Sequence, residues 1–207
     1  MSPPPNSPPG SGSAAQSQDH VKPALSVGEY SSEERQLLLG LAHQAIDTAL
    51  EGSEPTLPAI SEHLQQHRGA FTTLHLEGDV RGCVGYVFPV APLFQTIIET
   101  ARAAAFQDMR FLPVTREEAA QLQISISVLS PLFSINVEEL ELGKHGLLVT
   151  QGNRRGLLLP QVPAEHGWDR KTFLEQTCRK AGLPPDAWQH EATLEAFTAE
   201  IFGEGVL

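Results

Sequence analysis

The chain has 207 residues, two cysteines and a formal net charge of −11. An acidic chain without a clustered basic face has no electrostatic source of affinity for phosphate backbones, which sets nucleic acid aside as a partner. No basic segment leads into an apolar run of signal-peptide length, and no stretch approaches the ~20 apolar residues of a membrane span, so a soluble, cytoplasmic protein is expected.

Residues 1–30 hold six prolines and six serines with little apolar content. Such a segment cannot bury enough surface to offset its ordering cost, and it is expected to be a disordered tail. About 175 residues remain, enough for one domain or two small lobes sharing a core. Ser31 followed by Glu34 makes a capping box, and Leu37, Leu38, Leu41, Ala42, Ala45, Ile46, Ala49 and Leu50 then predict an amphipathic helix ending at Gly52. Residues 70–76 and 80–87 predict a hairpin around Glu77-Gly78-Asp79. A three-residue loop pairs Leu76 with Val80, setting His75 opposite Arg81 and Thr73 opposite Cys83. A Gly78-Asp79 loop instead sets Leu76 and Leu74 opposite them, and His75 leaves the thiol. Leu93, Phe94, Ile97, Ile98, Ala101, Ala104 and Ala105 predict a second helix, and Thr115 with Glu118 caps a short third. The alternation of Leu122, Ile124, Ile126 and Val128 predicts a strand over 122–129.

The second half repeats that order. Leu147–Thr150 and Gly156–Leu159 form a hairpin around 151–155, Asp169 caps a helix carrying Phe173, Leu174, Thr177, Cys178 and Ala181, and residues 194–202 read as one strand. Hairpin, helix and strand thus occur twice, which suggests an internal duplication.

The stretch Arg81-Gly82-Cys83-Val84-Gly85 carries the chemistry. In an extended strand, residues two apart share a face, so Arg81 and Cys83 point the same way. A neighbouring guanidinium favours the thiolate, the form of cysteine that acts as a nucleophile or redox centre. In a structural reading, Gly82 and Gly85 admit close packing or a bulge, Cys83 is a small core residue and Arg81 pairs with an acid. In a third reading, Arg81 and the backbone at Gly82 and Gly85 bind a ligand. His145, between glycines in a turn, is expected to be exposed and available as acid, base or donor. Gln161 follows Pro160 at a strand end and can hydrogen-bond a ligand. Asp108, Arg110 and Phe111 form a polar rim after the second helix, or simply an internal Asp108–Arg110 contact. His63 and His67, four apart, share a helical face, yet no further ligand accompanies them and no metal or cofactor is expected. The two cysteines fit neither a disulfide in a reducing compartment nor zinc spacing, and Cys178 falls in the apolar rhythm of its helix.

VRGCVG (80–85), AAAFQDMRF (103–111), ISISVLSP (124–131), GKHGLLV (143–149), RRGLLLPQV (154–162), HGWDR (166–170) and CRKAGLP (178–184) together resemble the AMMECR domain family over about residues 31–203. The resemblance implies an α+β fold of two unequal lobes, roughly 31–135 and 136–207, built from mainly antiparallel sheet with packed helices. It also implies a groove at the arginine-glycine-cysteine-glycine stretch, and a family whose activity is unestablished. Its members' association with radical SAM and MEMO-like proteins implies those partners here. Gln107 and Met109 depart from the residues usual around Asp108, and His75 is not a motif position. The leading reading is a domain binding a small molecule or partner segment in that groove; the rivals are an enzyme using Cys83, Arg81 and His145, and an adaptor without pocket chemistry.

Overall fold

The computed structural model describes residues 28–205, so the disorder expected for residues 1–27 lies outside the described residues. Gly28–Tyr30 depart from that expectation. Tyr30 is 2 % exposed and stacks on His63 with ring centroids 4.7 Å apart, an aromatic anchor that orders the chain before the first helix.

In chain order the elements are α1 (Ser32–Glu51), β1 (Ala70–Leu76), β2 (Asp79–Tyr86), α2 (Leu93–Phe106), α3 (Arg116–Ala119), β3 (Gln123–Leu129), β4 (Phe133–Ser134), β5 (Gly146–Gln151), β6 (Arg154–Leu158), α4 (Val162–His166), α5 (Arg170–Lys180), β7 (Thr193–Phe197) and β8 (Ala199–Gly203). This is an α+β fold with two antiparallel four-stranded sheets, ordered β2-β1-β3-β8 and β4-β7-β5-β6.

The capping box forms as read: Ser31 Oγ accepts from the Glu34 N–H at 3.2 Å and the Glu34 carboxylate from the Ser31 N–H at 3.1 Å. Gly52 ends α1 in the left-handed conformation. Together α1 and α2 cover one face of the first sheet, where Ala70, Leu74, Ile124 and Ile126 are fully buried. The other face of β1, carrying Phe71, Thr73 and His75, is only partly covered. In the second sheet Leu147 and Val149 pack with Phe173, Leu174 and Cys178 of α5.

The doubled element order has a matching topology. Strands β2-β1-β3 are repeated as β6-β5-β7, each a hairpin whose chain crosses by a helix to pair on the far side of the first strand. Each hairpin also approaches its helix through a glycine. A Cβ on Gly82 would lie 2.2 Å from the Ala104 carbonyl oxygen of α2, and one on Gly156 would lie 2.3 Å from the Ala181 nitrogen after α5.

The lobes are not consecutive pieces of chain. Residues 194–202, read as one strand, divide at Thr198 into β7 of the second sheet and β8 of the first. The break at 135/136 is therefore crossed twice: β4 joins the second sheet before it, and β8 returns to the first after it. At the crossover the Ser130 N–H donates to the Thr198 carbonyl at 2.9 Å, and the Thr198 N–H donates to Ser130 Oγ at 3.0 Å. Residues 123–134 and 193–203 thus form one antiparallel ribbon that changes sheet at its middle. Periodicity could not show this, because the apolar alternation runs through Thr198 without a break in sequence.

Substituting Gly82→Ala should destabilise the fold by about 1–3 kcal/mol, because the new methyl meets backbone rather than a movable side chain. Urea denaturation checks this; an unchanged midpoint would mean α2 does not sit as close to β2 as described.

Candidate functional site

The β1–β2 hairpin closes through the two residues Glu77 and Gly78, both at positive φ (53° and 92°), as a type I′ turn requires. His75 pairs with Val80 and Leu74 with Gly82, so Arg81 is an extra residue in β2, a bulge. Neither anticipated register holds along the whole hairpin. Thr73 does face Cys83, as the three-residue loop expected, whereas His75 does not face Arg81; His75 Nε2 lies 3.0 Å from Ser125 Oγ.

The bulge separates the two residues expected to act together. Arg81 and Gly82 both lie opposite the core-facing Leu74, and Arg81 forms a two-pronged ion pair with Glu118 of α3, Nε to Oε1 and Nη2 to Oε2 both at 3.0 Å. That pairing, chiefly its hydrogen bonds, holds the Glu118 carboxyl below its usual range. Cys83 is on the opposite face. The shared-face expectation is corrected because alternation survives only in an unbroken strand.

Cys83 Sγ accepts a hydrogen bond from Thr73 Oγ1 at 3.2 Å. It lines a cavity of about 70 Å³ walled by Phe71, Thr73, Ser127 and Ile201 of the first sheet together with Leu159 and Gln161, which follow the second hairpin. Gln161 therefore lines the same cavity as Cys83. Among the described residues the lining offers a thiol, two hydroxyls and an amide, and no imidazole, carboxylate or amine.

Asp108 and Arg110 bond the open edge of β2. The Cys83 N–H donates to Asp108 Oδ2 at 2.9 Å, and Arg110 Nη2 reaches the Cys83 carbonyl at 3.4 Å. Arg110 also grips Asp108 through Nε at 2.9 Å and Nη2 at 2.7 Å. The Asp108 side chain is only 7 % exposed, and hydrogen bonds from the Arg110 guanidinium, then from the Cys83 N–H, hold its carboxyl far below the usual carboxylate range. Phe111 lies against both guanidinium groups, 5.9 Å from Arg81 and 5.4 Å from Arg110. The internal Asp108–Arg110 ion pair is present, and none of Asp108, Arg110 and Phe111 is in the lining of the Cys83 cavity.

Three other candidates, His145, Gly82 and Gly85, are not in the lining of the Cys83 cavity. His145, expected to be exposed, is 7 % exposed: its Nδ1 accepts from the Glu141 N–H at 3.1 Å and its ring meets Phe133 edge-on. It does not line the Cys83 cavity. Gly82 faces α2, and a Cβ on Gly85 would lie 2.3 Å from the Phe71 ring, so protein atoms take the space that either glycine leaves. His63 and His67 do not share a helix. His63 bonds Glu34 at 3.1 Å while His67 bridges to Pro92, and the described residues include no group of three or more side chains that could hold a metal. Glu118 was legible only as a capping residue; its second role follows from where α3 docks, which no local signal records.

The AMMECR1 family model matches residues 39–202. The chain belongs to the AMMECR1 family. An AMMECR1-type protein of Methanothermobacter thermautotrophicus is 43 % identical over 184 residues, covering 84 % of this chain and 96 % of its own. One from Aquifex aeolicus is 41 % identical over 177 residues, covering 81 % and 91 %. The crystal structure of an uncharacterised protein from Pyrococcus horikoshii matches with a TM-score of 0.68 at 40 % identity, covering 81 % of this chain and 89 % of that one. The α+β fold is thus shared with a solved relative. The relatives are themselves uncharacterised, so family membership brings no reaction with it.

A carboxylate ionised more readily in the folded state stabilises the fold above its unfolded pKa, about 4, and that contribution fades as pH falls toward the folded value. The stability lost in Asp108→Asn should therefore be largest near neutral pH and shrink progressively below about pH 4, as melting curves across pH will read. Arg81→Ala should cost about 2 kcal/mol by leaving Glu118 without its fork, measured by urea denaturation. It should leave the alkylation rate of Cys83 in the folded protein within about twofold, since the two side chains lie on opposite faces.

Proposed function

We propose that this AMMECR1-family chain binds a small molecule in the cavity between its first sheet and the segment after the second hairpin, with Cys83 in the wall of the site. The observation that carries the reading is the cavity itself: Cys83 and Thr73 from one hairpin and Gln161 after the other border one space, mostly apolar with a few hydrogen-bonding groups. A ligand there would touch both lobes and be oriented by the Thr73 and Ser127 hydroxyls and the Gln161 amide. A partner segment adding as a strand to β2 is the weaker occupant, because Asp108 and Arg110 already bond the edge it would need. Covalent catalysis by Cys83 lacks a base in the cavity lining, and Arg81 is committed to Glu118. Cooperation with a radical SAM or MEMO-like protein rests on the family resemblance alone.

Iodoacetamide labelling of the folded full-length chain tests the site. Cys83 should react, while Cys178, fully buried and with its thiol pushed above the usual range chiefly by burial, should react only on unfolding. Leu159→Trp should fill the cavity and slow Cys83 labelling at least tenfold. A Cys83 that labels no faster than Cys178 would remove the accessible site and the proposal with it.

A further inference from the structure

β6 is an edge strand that pairs with β5 alone. Its hairpin closes through Gly152 and Asn153, so Gln151 and Arg154 form a hydrogen-bonded pair, and bonded and non-bonded pairs alternate from there. Arg155 and Leu157 therefore turn their N–H and C=O groups away from β5, and these groups have no hydrogen-bond partner among the described residues. The edge of β2, by contrast, is bonded by Asp108 and Arg110. Cations flank the open edge. Among the described residues every lysine and arginine outside β6 and α5 forms an ion pair with a carboxylate, whereas Arg154, Arg155, Arg179 and Lys180, all exposed, form none. Arg154 Nη1 donates to the Gly182 carbonyl at 3.0 Å, which ties the start of β6 to the end of α5, where Arg179 and Lys180 occupy the last turn. Arg155 projects from the other face and lies 5.8 Å from the Phe88 ring.

We propose that β6 accepts an extended acidic segment of a partner protein as an added strand. The outward backbone groups of Arg155 and Leu157 bond the new strand, and its carboxylates neutralise Arg154, Arg179 and Lys180 on one face and Arg155 on the other. Ladder bonding selects a polypeptide, because nucleic acids and lipids offer no alternation of N–H and C=O groups. A long polyanion would also run past the remainder of a chain whose net charge is −11, whereas a short segment meets only the patch, since exposed charges beyond about 10 Å are screened at about 0.1 M salt. Charge selects against a second copy as well. Its β6 would bring the same cations to the shared edge and neutralise none of them, which is how basic edge strands resist self-pairing. The site does not use the Cys83 cavity and does not depend on the reading proposed for it.

The probe is a short fluorescein-labelled peptide of Glu-Glu-Val repeats, titrated with the full-length chain by fluorescence anisotropy at about 0.1 M ionic strength. It should bind saturably, at least tenfold more tightly than the matching Gln-Gln-Val peptide, and weaken as salt is raised. N-methylation along the peptide backbone removes the ladder donors without changing charge, and should abolish binding. Arg179→Gln combined with Lys180→Gln should weaken binding at least fivefold, whereas Arg116→Gln with Lys144→Gln, the same change of charge made elsewhere, should leave it within about twofold. No saturable binding of the acidic peptide, whether because a second copy holds the edge or because nothing does, would overturn the proposal. Equal binding of the acidic and neutral peptides, undiminished binding of the N-methylated one, or equally tight binding of duplex DNA or phosphatidylserine vesicles would overturn it too. These readouts need no variant, so misfolding of a substituted chain does not leave the question open. Labelling of Cys83 is read separately, and either site can fail alone.

Discussion

Everything in this molecule is arranged about the pairing of residues 123–134 with residues 193–203. Each strand starts in one sheet and finishes in the other, and the Ser130–Thr198 bonds lock the crossover at which both turn. A connection of this kind leaves little freedom between the lobes. Backbone hydrogen bonds cross the boundary inside a strand pair, so hinging would break part of a ladder rather than bend a loop. The Cys83 cavity sits on this ribbon, with Leu129, Ala199 and Ile201 in its wall. The cleft is thus bordered by a hydrogen-bonded strand pair rather than by loops, which suits the preformed site proposed for it.

Helices α1 and α2 cover one face of the first sheet and α5 packs on the second, and the Phe71, Thr73 and His75 face of β1 is left only partly covered. In both hairpins a glycine removes the side chain that would hold the helix off, which lets the backbones approach and the core exclude water. Gly82 thereby belongs to the packing of α2 rather than to the cleft. The same hairpin presents Cys83 to the cleft one residue later, so structural and candidate functional demands alternate along a single strand.

The bulge at Arg81 decides what chemistry remains. Without it, the guanidinium would stand beside the sulfur and a thiolate would have a ready counter-ion. With it, Arg81 is drawn to Glu118, and among the described residues the sulfur keeps only the Thr73 hydroxyl as a hydrogen-bond donor. The second cation near Cys83, Arg110, is held by Asp108 against the strand edge and reaches the Cys83 carbonyl. Both arginines of this region therefore complete structural ion pairs, and each rests on Phe111. A thiol among hydroxyls and an amide, with no base beside it in the cavity lining, is the reason the role proposed for Cys83 is binding rather than reaction.

Local patterns carry the elements of this fold well. The capping boxes at Ser31 and Thr115, the stop at Gly52, the alternation through Ile124 and Val128 and the doubled hairpin–helix–strand order depend on neighbours within a few residues, and a short window contains all of them. The motifs also carried the family, because several long stretches in one order are specific without any structure. Pairings with distant causes were beyond such a reading. The Arg81 bulge comes from fitting a two-residue I′ turn to a register set farther along β1, the burial of His145 from the docking of Phe133, and the split at Thr198 from which sheet offers an open edge. The sequence by itself determined the helices, the hairpins, their repetition and the presence of a cysteine in the second strand. Tertiary structure alone decided which face that cysteine shares, and with whom, because a one-residue shift costs nothing in local propensity yet reverses every side chain before it.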